Sequence, residues 1–146
     1  MTSIQPIRTE DIDEWSELWD GYLTFYESEL PAEVTAETFR RITTDEGVHG
    51  AIARDEDGKA IGLVHWLTHP STWSISGYCY LEDLFVDPGT RGAGTGAAMI
   101  AHVRTWAEQQ GCEKVYWLTQ DGNATARRLY DRVASHTGFT HYEIEL

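Results

Sequence analysis

A length of 146 residues suits one domain, 1–146, built round a single core, and 41% apolar residues with six Trp and seven Tyr exclude a disordered chain. The formal net charge of −13, with only Lys59 and Lys114 beside nine arginines, argues against nucleic acid or an anionic membrane as partner and favours cationic ligands. No apolar run approaches the ~20 residues of a membrane span, no leader pattern opens the chain, and Cys79 and Cys112 share no metal-ligand spacing with each other or with the histidines. A cytoplasmic, metal-free protein with reduced thiols is therefore expected.

Taken in order, Ser3 to Arg8 reads as a first strand, irregular or at an edge because of Pro6. Asp11 with Glu14 three residues on reads as a capping box. Ile12, Trp15, Leu18, Tyr22, Phe25 and Tyr26 then give a helix one aromatic face, ended by Leu30-Pro31. A shorter helix, about 36–43, turns Phe39 and Ile42 inward. Val48 to Arg54 and Ala60 to Thr68 are strands joined at Asp55–Gly58. A polar loop with Pro70 and Gly77 leads to a long strand ending at Val86, which completes an antiparallel meander.

Beyond the Pro88-Gly89 turn the pattern changes. Arg91-Gly92-Ala93-Gly94-Thr95-Gly96 precedes a helix with Met99, Val103, Trp106 and Ala107 on one face, stopping near Gly111. Lys114 to Leu118 reads as a strand buried on both faces. Asn123 opens a last helix striped by Ala126, Leu129, Tyr130 and Val133, and Gly138-Phe139 and Tyr142 to Leu146 read as a final strand. The expected fold is α+β: a mixed sheet whose antiparallel meander is followed by a strand–helix–strand crossover, with flanking helices.

Glycines between a strand and a helix let the backbone approach a ligand and present N–H groups at a helix N-terminus, which carries roughly half a positive charge. With Arg91 beside it, this reads as a pyrophosphate cradle. The spacing is neither the Gly-x-Gly-x-x-Gly dinucleotide fingerprint nor a P-loop, which needs Gly-Lys-Ser/Thr.

At these residues the chain resembles the GNAT N-acetyltransferase superfamily. Its cofactor signature Gln/Arg-x-x-Gly-x-Gly/Ala is filled by Arg91 to Gly96, and its downstream Asn-x-x-Ala-x-x-Leu-Tyr by Asn123, Ala126, Leu129 and Tyr130. Leu84-Phe85-Val86-Asp87-Pro88 matches the strand end that precedes the loop, and Tyr80 to Val86 is similar to the branch of diamine, thialysine and yeast-type histone/polyamine acetyltransferases. One departure is Ala134, where that family usually has Gly-Phe; Gly138-Phe139 comes later, so the last strand is expected to be offset.

The resemblance implies acetyl-CoA as cofactor. Leu84, Phe85, Val86, Arg91, Gly92, Ala93, Gly94, Thr95, Gly96, Asn123, Ala126 and Tyr130 would bind it, with backbone N–H groups of Phe85 and Val86 on the pantetheine arm and the carbonyl. It also implies an amine acceptor, and a homodimer by analogy.

Amine acetylation needs a base, because an amine with a pKa near ~10 is protonated at neutral pH, and an acid for the leaving thiolate. Glu82 and Asp83 are the candidate bases; strand geometry puts them on opposite faces, and the resemblance favours Glu82. His65 and His69 are alternatives. The phenol of Tyr130 suits the acid, and the absence of a Cys in the signature favours direct attack. Trp19, Tyr22 and Tyr26, with Glu82, are the candidate acceptor contacts, and Arg127 and Arg128 could reach cofactor phosphates. Two alternatives stand beside a small cationic acceptor: a protein lysine or N-terminus, and a non-catalytic acyl-CoA sensor.

Overall fold

The computed structural model describes residues 2–90 and 94–146, in two compact units, Met1–Tyr116 and Trp117–Leu146. The first unit holds a five-stranded sheet in the order β1 (Ser3–Pro6), β2 (His49–Arg54), β3 (Ala60–Ser71), β4 (Ser74–Val86) and β5 (Val115–Tyr116). The first four strands are antiparallel neighbours, and β5 joins β4 in parallel after a crossover through helix α3 (Thr95–Gln109). This is the expected mixed α+β arrangement, and Pro6 does lie on the edge strand.

Helices α1 (Ile12–Phe25) and α2 (Ala32–Thr43) cover one face of the sheet. Trp15, Leu18 and Trp19 of α1 and Phe39 and Ile42 of α2 pack with Ile52, Leu63 and Phe85 from the strands. Helix α3 covers the other face with Met99, Ile100, Val103 and Ala107, all buried as the 3.6-residue period requires. Its approach is close: a Cβ on Gly62 of β3 would lie 3.0 Å from both Met99 Cε and the Phe85 carbonyl oxygen, so a larger residue there would force these neighbours to shift.

Several boundaries differ from the sequence reading. The α1 helix ends at Phe25, a turn before Leu30-Pro31, because Glu27 adopts a left-handed φ of 51° and Ser28 N–H closes on Leu23 O. Asp11 and Glu14 form no capping box. They hold Arg54 at the end of β2 instead, which donates to Asp11 Oδ1 at 3.0 Å and to Glu14 Oε1 at 2.9 Å, and also to Gly58 O.

The supposed loop at Pro70 and Gly77 is a continuation of the β3–β4 hairpin, whose register shifts between His69 and Ser71, where Pro70 lacks an N–H to pair. Trp73 and Ile75 stand exposed at its tip.

The strand expected over Lys114 to Leu118 shortens to the two residues of β5, both only partly buried, and Leu118 is exposed. In the second unit, helix α4 (Ala124–Val133) follows Asn123 as expected. The final strand is absent: 135–146 are not in regular structure, and Phe139, Tyr142, Ile144 and Leu146 are each close to 90% exposed or more. Without a neighbouring strand to accept its N–H groups, an alternating sequence does not make a strand.

Arg54 ties the start of α1 to the β2–β3 hairpin. Arg54→Ala should lower the unfolding free energy by roughly 1.5–3 kcal/mol, the worth of hydrogen bonds to charged groups. The readout is a lower urea midpoint at unchanged slope, with Arg54→Lys recovering part of the loss.

Candidate active site

Strand β4 carries the site in the first unit. The expectation that Glu82 and Asp83 face opposite ways fails, because β4 is bulged between them. His65 pairs with Asp83 but Trp66 pairs with Leu81, which leaves Glu82 as the extra residue. The two carboxylates therefore reach the same neighbours. Both act on the Tyr22 hydroxyl of α1, which hydrogen-bonds Asp83, and Glu82 hydrogen-bonds the Tyr80 hydroxyl. Tyr80 and Tyr116 pack with centroids 4.9 Å apart, and Tyr22 packs 5.0 Å from Tyr26. Two acids amid four tyrosines form a face with negative charge and aromatic walls.

The electrostatics follow from that crowding. Partial burial, then the charge of Asp83, pushes the Glu82 carboxyl above the ordinary carboxylate range, while the Tyr80 hydrogen bond pulls it back. Burial and Asp83 push the Tyr22 phenol up, and burial and Glu82 do the same to Tyr80. These phenols stay neutral donors. Trp19 is buried, stacked on Trp15 and Tyr22, and its indole N–H has no partner, so Tyr22 and Tyr26 are the accessible members of the predicted aromatic trio.

His65 and His69 each have a fixed role. An indole N–H can only donate, so Trp15 Nε1 at 3.0 Å makes His65 Nε2 an acceptor and leaves the proton on Nδ1, which donates to Asp83 Oδ2 at 2.9 Å. In the same way the Pro70 carbonyl takes the His69 Nδ1 proton, and Tyr116 donates to His69 Nε2 at 2.7 Å. Sequence reading missed Tyr80, Tyr116 and the Trp15–His65–Asp83 chain. Strict two-residue alternation keeps Tyr80 with Glu82 but assigns Asp83 to the opposite face, which hides the meeting of the two acids.

The other edge of β4 is open. Pairing with β5 is limited to Cys79 and Tyr80, and among the described residues no strand pairs with that edge from Leu81 onward. Asp87 N–H donates to Ile61 O on the β3 side. Because successive N–H groups alternate between the two edges, that of Val86 points to the open edge, and so does that of Leu84 two residues earlier. Leu84 and Val86, rather than Phe85 and Val86, thus offer backbone donors. Phe85 sends its side chain into the core against Tyr22 and Gly21.

The N-terminus of α3 follows. Arg91, Gly92 and Ala93 lie outside the described residues. Gly94 adopts a left-handed φ of 73°, and the first helical bond runs from Ala98 N–H to Gly94 O, so the N–H groups of Thr95, Gly96 and Ala97 have no partner within the helix. The Thr95 hydroxyl is buried without a hydrogen-bond partner. Unspent donors, a positive helix end and an orphaned hydroxyl fit a phosphate-bearing ligand.

In the second unit Asn123 caps α4, its Oδ1 accepting from Ala126 N–H at 3.4 Å. Arg127 donates to Asp121 O at 2.9 Å, which ties it to its own loop. Tyr130 packs edge-on against Trp117 with centroids 5.4 Å apart.

Residues 12–134 match the acetyltransferase (GNAT) family. The chain is 35% identical over 142 residues to the D-amino-acid N-acetyltransferase HPA3 of Saccharomyces cerevisiae, covering 96% of this chain and 88% of that protein. It is 31% identical over 100 residues to a thialysine N-epsilon-acetyltransferase of Caenorhabditis elegans, covering 68% of this chain and 61% of that protein. The fold is also that of the aminoglycoside acetyltransferase AAC(6')-Iy solved with a bisubstrate analog, at a TM-score of 0.86 and 19% identity over 100% of this chain and 99% of that one. The chain belongs to the GNAT acetyltransferase family and is an acetyl-CoA-dependent N-acetyltransferase.

Proposed function

We propose that the acceptor is a primary amine on a small cationic molecule, acetylated by direct attack in a ternary complex. The observation that carries this is the pairing of Glu82 and Asp83 on one face, walled by Tyr22, Tyr26, Tyr80 and Tyr116. Carboxylates attract an ammonium group, and aromatic faces hold it at little desolvation cost. Lys114 Nζ, 4.1 Å from the centroid of the Tyr78 ring, shows an ammonium on a neighbouring ring of this strand. The names of the relatives, acting on amino acids and thialysine, support a small acceptor.

Acetyl-CoA supplies the acetyl group as a thioester. Glu82, its pKa raised by partial burial, would take the proton of the acceptor ammonium, and the freed nitrogen would attack the thioester carbon. N–H groups of Leu84 and Val86 on the open edge, with those of Thr95, Gly96 and Ala97 and the Thr95 hydroxyl, hold the donor. Asn123 and Ala126 belong to the same role. Tyr130 would give its proton to the sulfur as the C–S bond breaks, and would regain one from the nitrogen as it becomes the amide. Cys79 supports a route without an acyl-enzyme, because it is buried and burial pushes its thiol up to about 12.

We also read 1–146 as one catalytic domain, supported by the family match running from 12 to 134 across both units. A cytoplasmic homodimer completes the proposal. Unpaired Cys79 and Cys112 support the compartment, and exposed Phe139, Tyr142, Ile144 and Leu146 support self-association.

Screening polyamines, diamino acids, D- and L-amino acids, aminoglycosides and peptides, with thiol release as the readout, tests the acceptor class. Turnover confined to peptides, or none despite tight acetyl-CoA binding, overturns it. Tyr130→Phe should lower kcat by ~10²–10⁴-fold with the KM for acetyl-CoA little changed; an unchanged kcat removes Tyr130 as the acid.

Glu82 must be ionised to act, so kcat/KM should fall as pH drops through its raised pKa. The groups that set this limb are Asp83, Tyr80 and His65, and Glu82→Gln should abolish both the limb and most of the rate. Thr95→Val should weaken acetyl-CoA binding by about 3–10-fold, the worth of one hydrogen bond, yet stabilise the free protein by removing an unsatisfied buried hydroxyl. Calorimetric titration and thermal melts read the two opposite signs.

A further inference from the structure

The β3–β4 ladder is regular from Gly62–Val86 to His65–Asp83 and resumes at Trp66–Leu81, with Glu82 squeezed out between. A bulged residue makes no ladder pair of its own, so its place depends on whatever pins the residues beside it. A slip of one residue would send its side chain to the other face. At this bulge the pin is a side-chain bond across the strands: His65 Nδ1 donates to Asp83 Oδ2 at 2.9 Å. Behind it, Trp15 of α1 donates to His65 Nε2 at 3.0 Å, and the Tyr22 hydroxyl, also from α1, is pushed up by burial and by its closeness to Asp83. Trp15 and His65 are each 1% exposed, so this chain of polar groups sits inside the apolar core.

Such a chain is an expensive way to hold two strands together. A buried polar pair can be replaced by apolar residues of similar size with little loss of stability. What it adds is direction, because a hydrogen bond across the bulge is met at one register only. We propose that His65, backed by Trp15, is a positioning residue for acetyl transfer: by gripping Asp83 across the bulge it fixes the register at which Glu82 presents its carboxylate to the acceptor. This rests on the reading of Glu82 as the base.

Two near-isosteres of His65 separate positioning from bulk. In His65→Asn the side-chain amide occupies the position of Nδ1 and can still donate to Asp83. In His65→Gln the amide falls at the position of Nε2, keeping a partner for Trp15 but losing the grip on Asp83. Steady-state kinetics on the full chain should show kcat for the Gln variant down by about 10²-fold, the cost of a misplacement near 1 Å. The KM for acetyl-CoA should stay unchanged, and the Asn variant should remain within tenfold of the parent.

Equal kcat in the two variants, or losses that follow their melting temperatures, would make His65 structural only and overturn the proposal. Glu82→Gln is measured alongside. A full rate there removes the base and the positioning role together. A lost rate there with an intact kcat in His65→Gln sinks the positioning role alone.

Discussion

The site depends on the unequal edges of one strand. β4 is bound to β3 along nearly its whole length, but to β5 at only two residues, and among the described residues no strand pairs with its second edge past Tyr80. Backbone amides must find partners, and an unpaired edge inside a sheet is an invitation to any extended chain that carries amides of its own. A ligand arm with peptide-like groups meets that need as a further strand would. The same strand turns its other features toward α1 through the bulge. One element thus carries both the open edge and the paired acids, and fixes each relative to the other.

Charge raises a conflict that distance resolves. A chain at −13 repels a polyphosphate from afar, yet the N-terminus of α3 presents N–H groups of Thr95, Gly96 and Ala97 that have no partner within the helix. At physiological salt the Debye length is about 8 Å, so distant carboxylates are screened while donors in contact with the ligand are not. The roughly half charge of a helix end therefore prevails locally over many remote charges. On the acceptor face the global and local fields agree. There Glu82 and Asp83 add to the overall negative potential.

Where the chain follows a simple period, its structure was legible. The stripe Met99, Val103, Ala107 marked α3, the Asp55–Gly58 turn marked the β2–β3 hairpin, and Asn123 marked the start of α4. Motif spacing marked the family even though three residues of the glycine loop lie outside the described part. What periodicity could not show is an added residue. A bulge leaves the alternation of β4 intact to the eye while bringing Asp83 to the side that Glu82 faces, and with it the joint reach of the two acids to Tyr22 was lost to sequence reading. The ends of strands were the other failure. Apolar residues at 115–118 and 142–146 supply the side chains of a strand, but pairing requires a neighbour at the right place, which is a property of the fold.

Tyr142, Ile144 and Leu146 stand exposed and alternate with Glu143 and Glu145. Short alternating segments of this kind seed cross-β stacking when their charge is low. The two glutamates act as gatekeepers that oppose stacking beyond a defined pairing of copies. That protection is electrostatic and so belongs to neutral pH. Near the sequence pI of about 4.7 it vanishes, and the segment becomes the point at which the protein leaves solution.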